Sequence, residues 1–360
     1  MTAPILIMAG GTGGHVFPAL AVARALRRSD EEIVWLGTAH GIESRLVPDE
    51  GIPLEQTRAA GLRGKGPLRW LLAPAILLLA LVDAIGVLRR RRPKVVLGMG
   101  GFASGPGGLA AWLLRKPLII HEQNSVAGLT NRLLAGLARE VLEAFPGSFS
   151  AGVRTRLVGN PVRRDIAALP EPCHRFGNRG GPLRLLVLGG SLGARVLNET
   201  VPRAIALLDA DRRPEIRHQA GKATIGTACD TYAELGIEAA IEPFIDDVAA
   251  AYAWADLAIC RAGALTISEL AAAGLGAILI PYPSAVDDHQ TRNAQYLVDA
   301  GAAVCMAQSD LTPARLAAEI AQCIDDRRLV ETRAQRARDM ARPEATRAVA
   351  DACLATGGAA

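Results

Sequence analysis

Short apolar runs separated by helical patterns recur along the whole chain, and their spacing predicts alternating strands and helices. In the first half the runs at 4–9, 32–37, 94–98, 117–121 and 139–143 read as strands. In the second half those at 183–188, 215–219, 256–260 and 277–280 do. Continuous apolar strands flanked by helices imply parallel sheets with crossover connections, an α/β fold. Between the halves, 144–182 is weakly patterned and rich in Pro, Gly and Arg, which places a linker near Asn160–Arg164. Each half opens on the same device: an apolar strand, a glycine turn with a hydroxyl residue, then a helix. The first reads ILIMAGGTGGHVFPALAVARAL with Thr12, the second LRLLVLGGSLGARVLNETV with Ser191. Two Rossmann-like units are therefore predicted, with the carboxyl ends of their parallel sheets facing a central cleft, where open α/β sheets bind ligands.

Composition agrees with this and narrows it. At 360 residues, half apolar and a fifth charged, the chain is too long for one ordinary core and has the balance of a folded globular protein. A formal net charge of only +4 implies no nucleic-acid partner. The charge is unevenly spread, however. Between Gln56 and His121 stand eleven Lys or Arg and one acid, Asp83, so that this stretch carries +10 and the rest −6. Such asymmetry points to an anionic surface touched by the first half. Cys173, Cys229, Cys260, Cys305, Cys323 and Cys353 are scattered with no CxxC pair, as in a reduced protein without a zinc site. The N-terminus lacks the basic region, apolar core and cleavage site of a signal peptide and reads as a first strand.

Five segments carry candidate chemistry. Gly10–Gly11–Thr12–Gly13–Gly14–His15 lets the backbone turn tightly and presents a helix N-terminus to an anion. It is not the dinucleotide fingerprint, since Val16 replaces the third Gly, nor a P-loop, since no Gly-Lys-Ser/Thr follows. A glycine turn is as often a packing device, and a lone histidine is more often structural. The position of His15 at a strand's carboxyl end is what favours a general base. Gly189–Gly190–Ser191–Leu192–Gly193 is a second such turn, suited to a phosphate or diphosphate or to tight packing alone. In the run Arg261–Glu269, backbone donors at 264–266 suit a phosphate and Glu269 suits ribose hydroxyls, although Glu near a helix start is also ordinary capping. His121–Glu122–Gln123–Asn124 and Asp287–Asp288–His289–Gln290 place polar side chains at strand ends, where solvated loops are also common.

The apolar run from Trp70 to Leu88 is long enough to span a bilayer. Asp83 is costly in lipid, and Lys94–Gly98 must rejoin the sheet begun at Ile5. The run is therefore a buried crossover helix or one lying on a membrane. Arg63, Lys65, Arg69 and the series Arg89, Arg90, Arg91 and Arg92 favour contact with anionic lipid.

Taken together, GGTGGHVFPALAVA, GGFASGPGGLAAW, HEQNSVAGLTNRLLA, GNPVR, GGSLGA, FIDD and AWADLAICRAGALTISELAAAG closely resemble the MurG family of peptidoglycan glycosyltransferases, over nearly the whole chain. The resemblance implies the GT-B fold and an inverting transfer of N-acetylglucosamine from its UDP donor to undecaprenyl-diphospho-N-acetylmuramoyl-pentapeptide, converting lipid I to lipid II. It implies a peripheral place on the cytoplasmic face of the cell membrane, cell-wall synthesis proteins as further partners, and no metal or cofactor. It places the acceptor's base at His15. The donor falls to Thr12, Gly13, Gly14, Asn124, Arg163, Ser191, Ile245, Ala264, Leu265, Thr266, Ile267, Ser268, Glu269 and Gln290. Of these, the 245 position meets the uracil, Glu269 the ribose and the serine loop the diphosphate. His289 departs from the family's pattern beside Gln290, which unsettles the sugar contacts there. Trp70, Leu71, Ile76, Leu79 and Arg89 to Arg92 would meet the membrane. In domain terms, 1–160 would bind acceptor and membrane, 161–342 the UDP-sugar, and 343–360 would form a helix and tail packed back on the first. Two rivals stand beside this reading: a UDP-sugar 2-epimerase on the same fold, and a non-catalytic nucleotide-binding or scaffold protein.

Overall fold

The computed structural model describes residues 3–59, 66–177, 179–190, 193–283 and 288–358, with side chains in all of these but 66–72. The chain divides into two compact units, Met1–Arg163 with Arg342–Ala360, and Arg164–Ala341. The first holds β1 (Ile5–Met8), α1 (Gly13–Arg27), β2 (Ile33–Gly37), α2 (Glu43–Asp49), β3 (Leu54–Gln56), α3 (Gly66–Arg91) and β4 (Val95–Gly98). It continues with α4 (Ser104–Leu113), β5 (Leu118–Glu122), α5 (Leu129–Leu134), β6 (Glu140–Glu143) and β7 (Arg156–Leu157). The second begins with α6 (Arg164–Ala167), α7 (Pro172–Phe176), β8 (Arg184–Leu188), α8 (Arg195–Ala206), β9 (Glu215–Gln219), α9 (Ile225–Glu234) and β10 (Ala240–Glu242). It ends with α10 (Val248–Trp254), β11 (Leu257–Cys260), α11 (Ala264–Ala273), β12 (Gly276–Leu279), α12 (His289–Asp299), β13 (Ala303–Cys305), α13 (Pro313–Asp325) and α14 (Arg327–Asp339). The last helix, α15 (Ala345–Gly358), returns to the first unit and packs on α1.

Each unit contains one all-parallel sheet, ordered β3-β2-β1-β4-β5-β6-β7 and β10-β9-β8-β11-β12-β13. Ile5 lies opposite Ile33 and Val95, and Leu257 lies opposite Leu185 and Gly276. Both sheets are doubly wound, so the strand order reverses between β1 and β4 and again between β8 and β11. A ligand site is expected outside the carboxyl ends at those two places.

The period of the strands sets the layers. Ile5 and Ile7 face Val16, Leu20, Val349 and Cys353, while Leu6 and Met8 face Ala84, Val87 and Ala110. In the second unit Leu185, Val187, Leu257 and Ile259 pack with Leu197, Val201, Leu316 and Ile320. Four strands fall outside the predicted runs: β3, β7, β10 and β13. All four are the outer strands of their sheets. An outer strand pairs on one side only, and these have two or three residues each, too few to show an apolar period.

α3 lies along the first sheet by one face. Ala73, Ala80, Ala84, Val87 and Leu88 are buried, and Leu77, Leu78, Leu79 and Val82 point outward. Among the described residues no helix is long and apolar enough to cross a membrane.

Candidate functional site

At the reversal in the first unit the β1 and β4 turns lean on one another. Gly11, Gly100 and Gly101 have φ of 89°, 91° and 87°, values open to glycine and strained for other residues. A Cβ on Gly100 would fall 2.5 Å from His15 Nδ1, and one on Gly101 would strike the Gly10 backbone. Met99 N–H donates to the Met8 carbonyl at 2.8 Å, and the buried Ser104 hydroxyl donates to the Met8 and Gly100 carbonyls. The glycine run therefore serves close packing: it lets β4 close on β1 and presses the backbone against the imidazole.

His15 is the third residue of α1, after Thr12 as N-cap and Gly13 and Gly14. Thr12 and Gly14 are exposed and the other two half-buried. The His15 Nδ1 lies 3.1 Å from Gln123 Oε1, while Gln123 Nε2 donates to the Met99 carbonyl at 2.8 Å.

His121, Glu122 and Gln123 turn inward, at 0%, 2% and 2% exposure, whereas Asn124 is half-buried. This corrects the picture of four polar side chains at an open edge. His121 Nε2 lies 2.9 Å from the Gly159 carbonyl, and burial pushes its pKa down to about 4. Glu122 accepts from Asn124 N–H, the Asn124 amide, Gly128 N–H and the Asn131 amide, stapling the loop after β5. Asn160 Nδ2 donates to the Gln123 carbonyl at 3.0 Å. Arg163, half-buried, ends the main segment of this unit.

Two residues here have roles that the sequence does not show. One is Gln123, which stands in the sequence only as a member of the polar run 121–124. The other is Glu43, fully buried, which accepts from Gly11 N–H at 3.0 Å, Thr38 N–H at 3.0 Å and the Thr38 hydroxyl at 2.7 Å. It ties the first glycine turn to the loop after β2, and a Cβ on Gly10 would stand 2.5 Å from its Oε1. Glycines at 10, 37 and 41 leave room for its carboxylate.

At the second unit's reversal Gly190 and Gly193 have φ of 78° and 79°, and a Cβ on Gly193 would lie 2.5 Å from the Ala220 carbonyl. Ser191 lies outside the described residues. Beneath this turn the Asn198 amide donates to the Ala220 and Thr224 carbonyls. Asn198 Oδ1 lies 3.1 Å from His218 Nε2, and His218 Nδ1 lies 3.1 Å from the Tyr232 hydroxyl. Burial pushes the His218 pKa down to about 3 and the Tyr232 pKa up, so this network is neutral.

α11 starts where β11 ends, with Gly263 as an N-cap lacking any side chain to accept from the first turn, which holds Ala264, Leu265 and Thr266. An anion suits such a terminus. Ile267 is in the core and its N–H donates to the Gly263 carbonyl, which leaves a ligand neither of the two. Ser268 is half-buried and donates to the Ala264 carbonyl, and Glu269 Oε2 accepts from the Tyr252 hydroxyl at 3.2 Å. Ile245 is 1% exposed and its N–H is held by Gln219 Oε1 at 3.0 Å, so a base would meet its main chain. Gln290 Oε1 accepts from Tyr282 N–H at 2.9 Å, which directs the other amide group of Gln290 outward from that bond. His289 is half-buried beside it, and Asp287 lies outside the described residues.

On the α3 face Leu78 is 61% exposed, with Leu77, Leu79 and Val82 also exposed and Ile76 half-buried. The side chains of Trp70 and Leu71 lie outside what is described. On α4, which packs on α3, Trp112 and Leu113 are each 49% exposed, a second apolar element unseen from the sequence. The basic series divides. Arg90 and Arg91 both pair with Glu55 on β3, and Arg58 pairs with Asp83 and holds that carboxyl below its ordinary range. Arg89 and Arg92 are exposed and make no ion pair with the described residues.

Among the described residues no cluster could hold a metal ion. The glycosyltransferase family 28 N-terminal domain matches residues 5–143 and the C-terminal domain of the same family matches 184–350. The chain is 56% identical over 349 residues to a UDP-N-acetylglucosamine–N-acetylmuramyl-(pentapeptide) pyrophosphoryl-undecaprenol N-acetylglucosamine transferase of Marinobacter nauticus, covering 97% of this chain and 96% of that one. It is 57% identical to the protein of that name from Alkalilimnicola ehrlichii, over 98% and 99% of the two chains. The crystal structure of Acinetobacter baumannii MurG superposes with a TM-score of 0.85 at 42% identity, covering 98% of this chain and 99% of that one. Two doubly wound units, a family match to each and relatives alike over their full length agree: the chain belongs to glycosyltransferase family 28.

Proposed function

We propose that this glycosyltransferase moves N-acetylglucosamine from UDP-N-acetylglucosamine to the 4-hydroxyl of undecaprenyl-diphospho-N-acetylmuramoyl-pentapeptide, with inversion. The names of the relatives supply the substrates. The observation that carries the chemistry is His15, held by one ring nitrogen at the β1–β4 reversal and half-buried. In the transfer, the acceptor oxygen bonds to the anomeric carbon as the bond from that carbon to the diphosphate oxygen breaks. The hydroxyl proton passes to His15, and the bonding pair leaves with UDP. A single displacement inverts the centre and needs no enzyme nucleophile. The charge that develops on the leaving diphosphate is met by the α11 N-terminus and the second glycine turn, which includes Ser191. Glu269 takes the ribose, the Ile245 main chain the uracil, and the Gln290 amide the sugar hydroxyls. Thr12, Gly13, Gly14, Asn124 and Arg163 complete the donor contacts in the same proposal.

Membrane attachment belongs to the first unit, through the outward leucines of α3, Trp112 and Leu113, with Arg89 and Arg92 toward anionic headgroups. In the same proposal the enzyme sits peripherally on the cytoplasmic leaflet, beside its lipid acceptor.

The test is a transfer assay with UDP-N-acetylglucosamine and a short-chain analogue of the acceptor. A β-linked disaccharide product with stoichiometric UDP release is expected. Release of UDP with a free 2-epimer and no disaccharide would instead identify an epimerase.

A further inference from the structure

The Met99 carbonyl can only accept, so the Gln123 group facing it is the NH₂ and the group facing His15 is the carbonyl. A carbonyl cannot donate. The hydrogen between Gln123 Oε1 and His15 Nδ1 therefore belongs to the histidine, and in the neutral ring the lone pair lies on Nε2. Gly100 closes the other approach to Nδ1, since even a methyl group there would overlap the ring. Gln123 in turn is fixed from three sides. It is 2% exposed, its side chain is held by Met99, and its main-chain carbonyl accepts from Asn160.

We propose that Gln123 is a positioning residue for the transfer: by reading the Met99 carbonyl with one end of its amide, it holds His15 in the Nδ1–H tautomer and aims the Nε2 lone pair at the acceptor hydroxyl. This rests on His15 as the base of the proposed reaction. It adds that the base's tautomer is set by a neutral amide, whose own orientation a backbone carbonyl dictates. After proton transfer both ring nitrogens carry hydrogen, and the Nδ1–H bond to Gln123 persists through the step. The ring need not turn over between turnovers.

The experiment is ¹⁵N NMR of histidine-labelled full-length protein, assigned to His15 by loss of its signals in His15→Gln. At a pH where the ring is neutral, Nδ1 should give the pyrrole-type and Nε2 the pyridine-type resonance. In Gln123→Leu the two should average or exchange toward the Nε2–H form favoured by a free imidazole. The kcat of that variant should fall by about 10² while KM for UDP-N-acetylglucosamine stays within about twofold. Gln123→Glu keeps an acceptor for Nδ1–H and should restore the tautomer and part of the rate, although it loses the donor to Met99. An Nε2–H tautomer in the unsubstituted protein would overturn the proposal even if no variant folds. So would a Gln123→Leu protein whose tautomer and kcat match the parent. Full turnover by His15→Ala, with the predicted tautomer intact in the parent, would instead remove the base assignment and leave the tautomer assignment standing.

Discussion

The two units share a strand order, a glycine turn after their first strand, and a histidine held by a side-chain amide, yet those histidines are held in opposite ways. His15 is bonded at Nδ1, half-buried and placed at the end of its sheet. His218 is bonded at both nitrogens, to Asn198 and Tyr232, and buried beneath the second glycine turn. A histidine removed from water is structure; one held on a single side and only half-buried keeps a ring nitrogen open for chemistry. His121 departs from His218 in its bonding: only its Nε2 is held, by the Gly159 carbonyl, and its Nδ1 has no partner among the described residues, so full burial alone keeps it from water. In the proposed reaction the first unit supplies the base and the second the anion cradle, and the two histidines differ in whether their surroundings leave a ring nitrogen open.

The largest effect that would break this comparison is on turnover. His15→Ala should lower kcat by about 10²–10⁴, and the urea midpoint should stay near that of the parent. Transfer within twofold of the parent would end the contrast.

His218→Leu should do the reverse. It strands the Asn198 carbonyl and the Tyr232 hydroxyl, which costs about 3 kcal/mol of unfolding free energy, with a smaller loss of turnover. Acid sharpens this. Folded His218 binds a proton only near pH 3, whereas an unfolded histidine binds one below about 6.5. The unfolded chain therefore holds the extra proton in that window, and stability must fall as pH drops through it, by up to about 1.4 kcal/mol per pH unit. His121 adds the same slope down to about pH 4. Urea midpoints of His218→Leu should lose less between pH 7 and pH 5 than those of the parent. Equal slopes would mean that His218 is not buried neutral.

A matched pair of glycine substitutions separates the two turns. Gly100→Ala pushes on His15 and should cut kcat by tenfold or more with little change in nucleotide affinity, since φ there is positive and the ring stands in the way. Gly193→Ala disturbs the turn over Ala220 and should instead weaken UDP binding by about tenfold, read by calorimetry. If both substitutions altered the same parameter, the division of labour would be wrong.

The smallest effect concerns the surface. Arg89→Gln with Arg92→Gln should weaken binding to anionic vesicles by about 1 kcal/mol per charge at low salt, and leave turnover on a soluble acceptor unchanged. Arg90 and Arg91 are poor choices for this test, because removing them also frees Glu55. Equal binding of parent and variant to anionic vesicles would discount the electrostatic part.

The inner strands were legible because each is a run of buried apolar residues such as Ile5–Met8 or Leu257–Cys260. The outer strands were not: Leu54–Gln56 carries one apolar residue in three. At the site, the glycine turn that leads into His15 was legible. The roles of Gln123 and Glu43 were not, because a glutamine or a helix-start glutamate has no signature until its partners are adjacent in space. The charge window beginning at Gln56 also missed Glu55 by one residue, and with it the carboxylate that engages two of the four arginines. Pairing across a sheet is a long-range fact that local pattern does not carry.

The central claim is that one histidine of six carries the chemistry through an open Nε2. Its most direct test is limited carbethoxylation of the native enzyme, with each histidine's modification followed by mass spectrometry alongside residual transfer. Loss of transfer should track modification of His15 one for one, with His121 and His218 unmodified while the fold is intact. Loss that tracks any other histidine, or full transfer by enzyme modified at His15, would contradict the account.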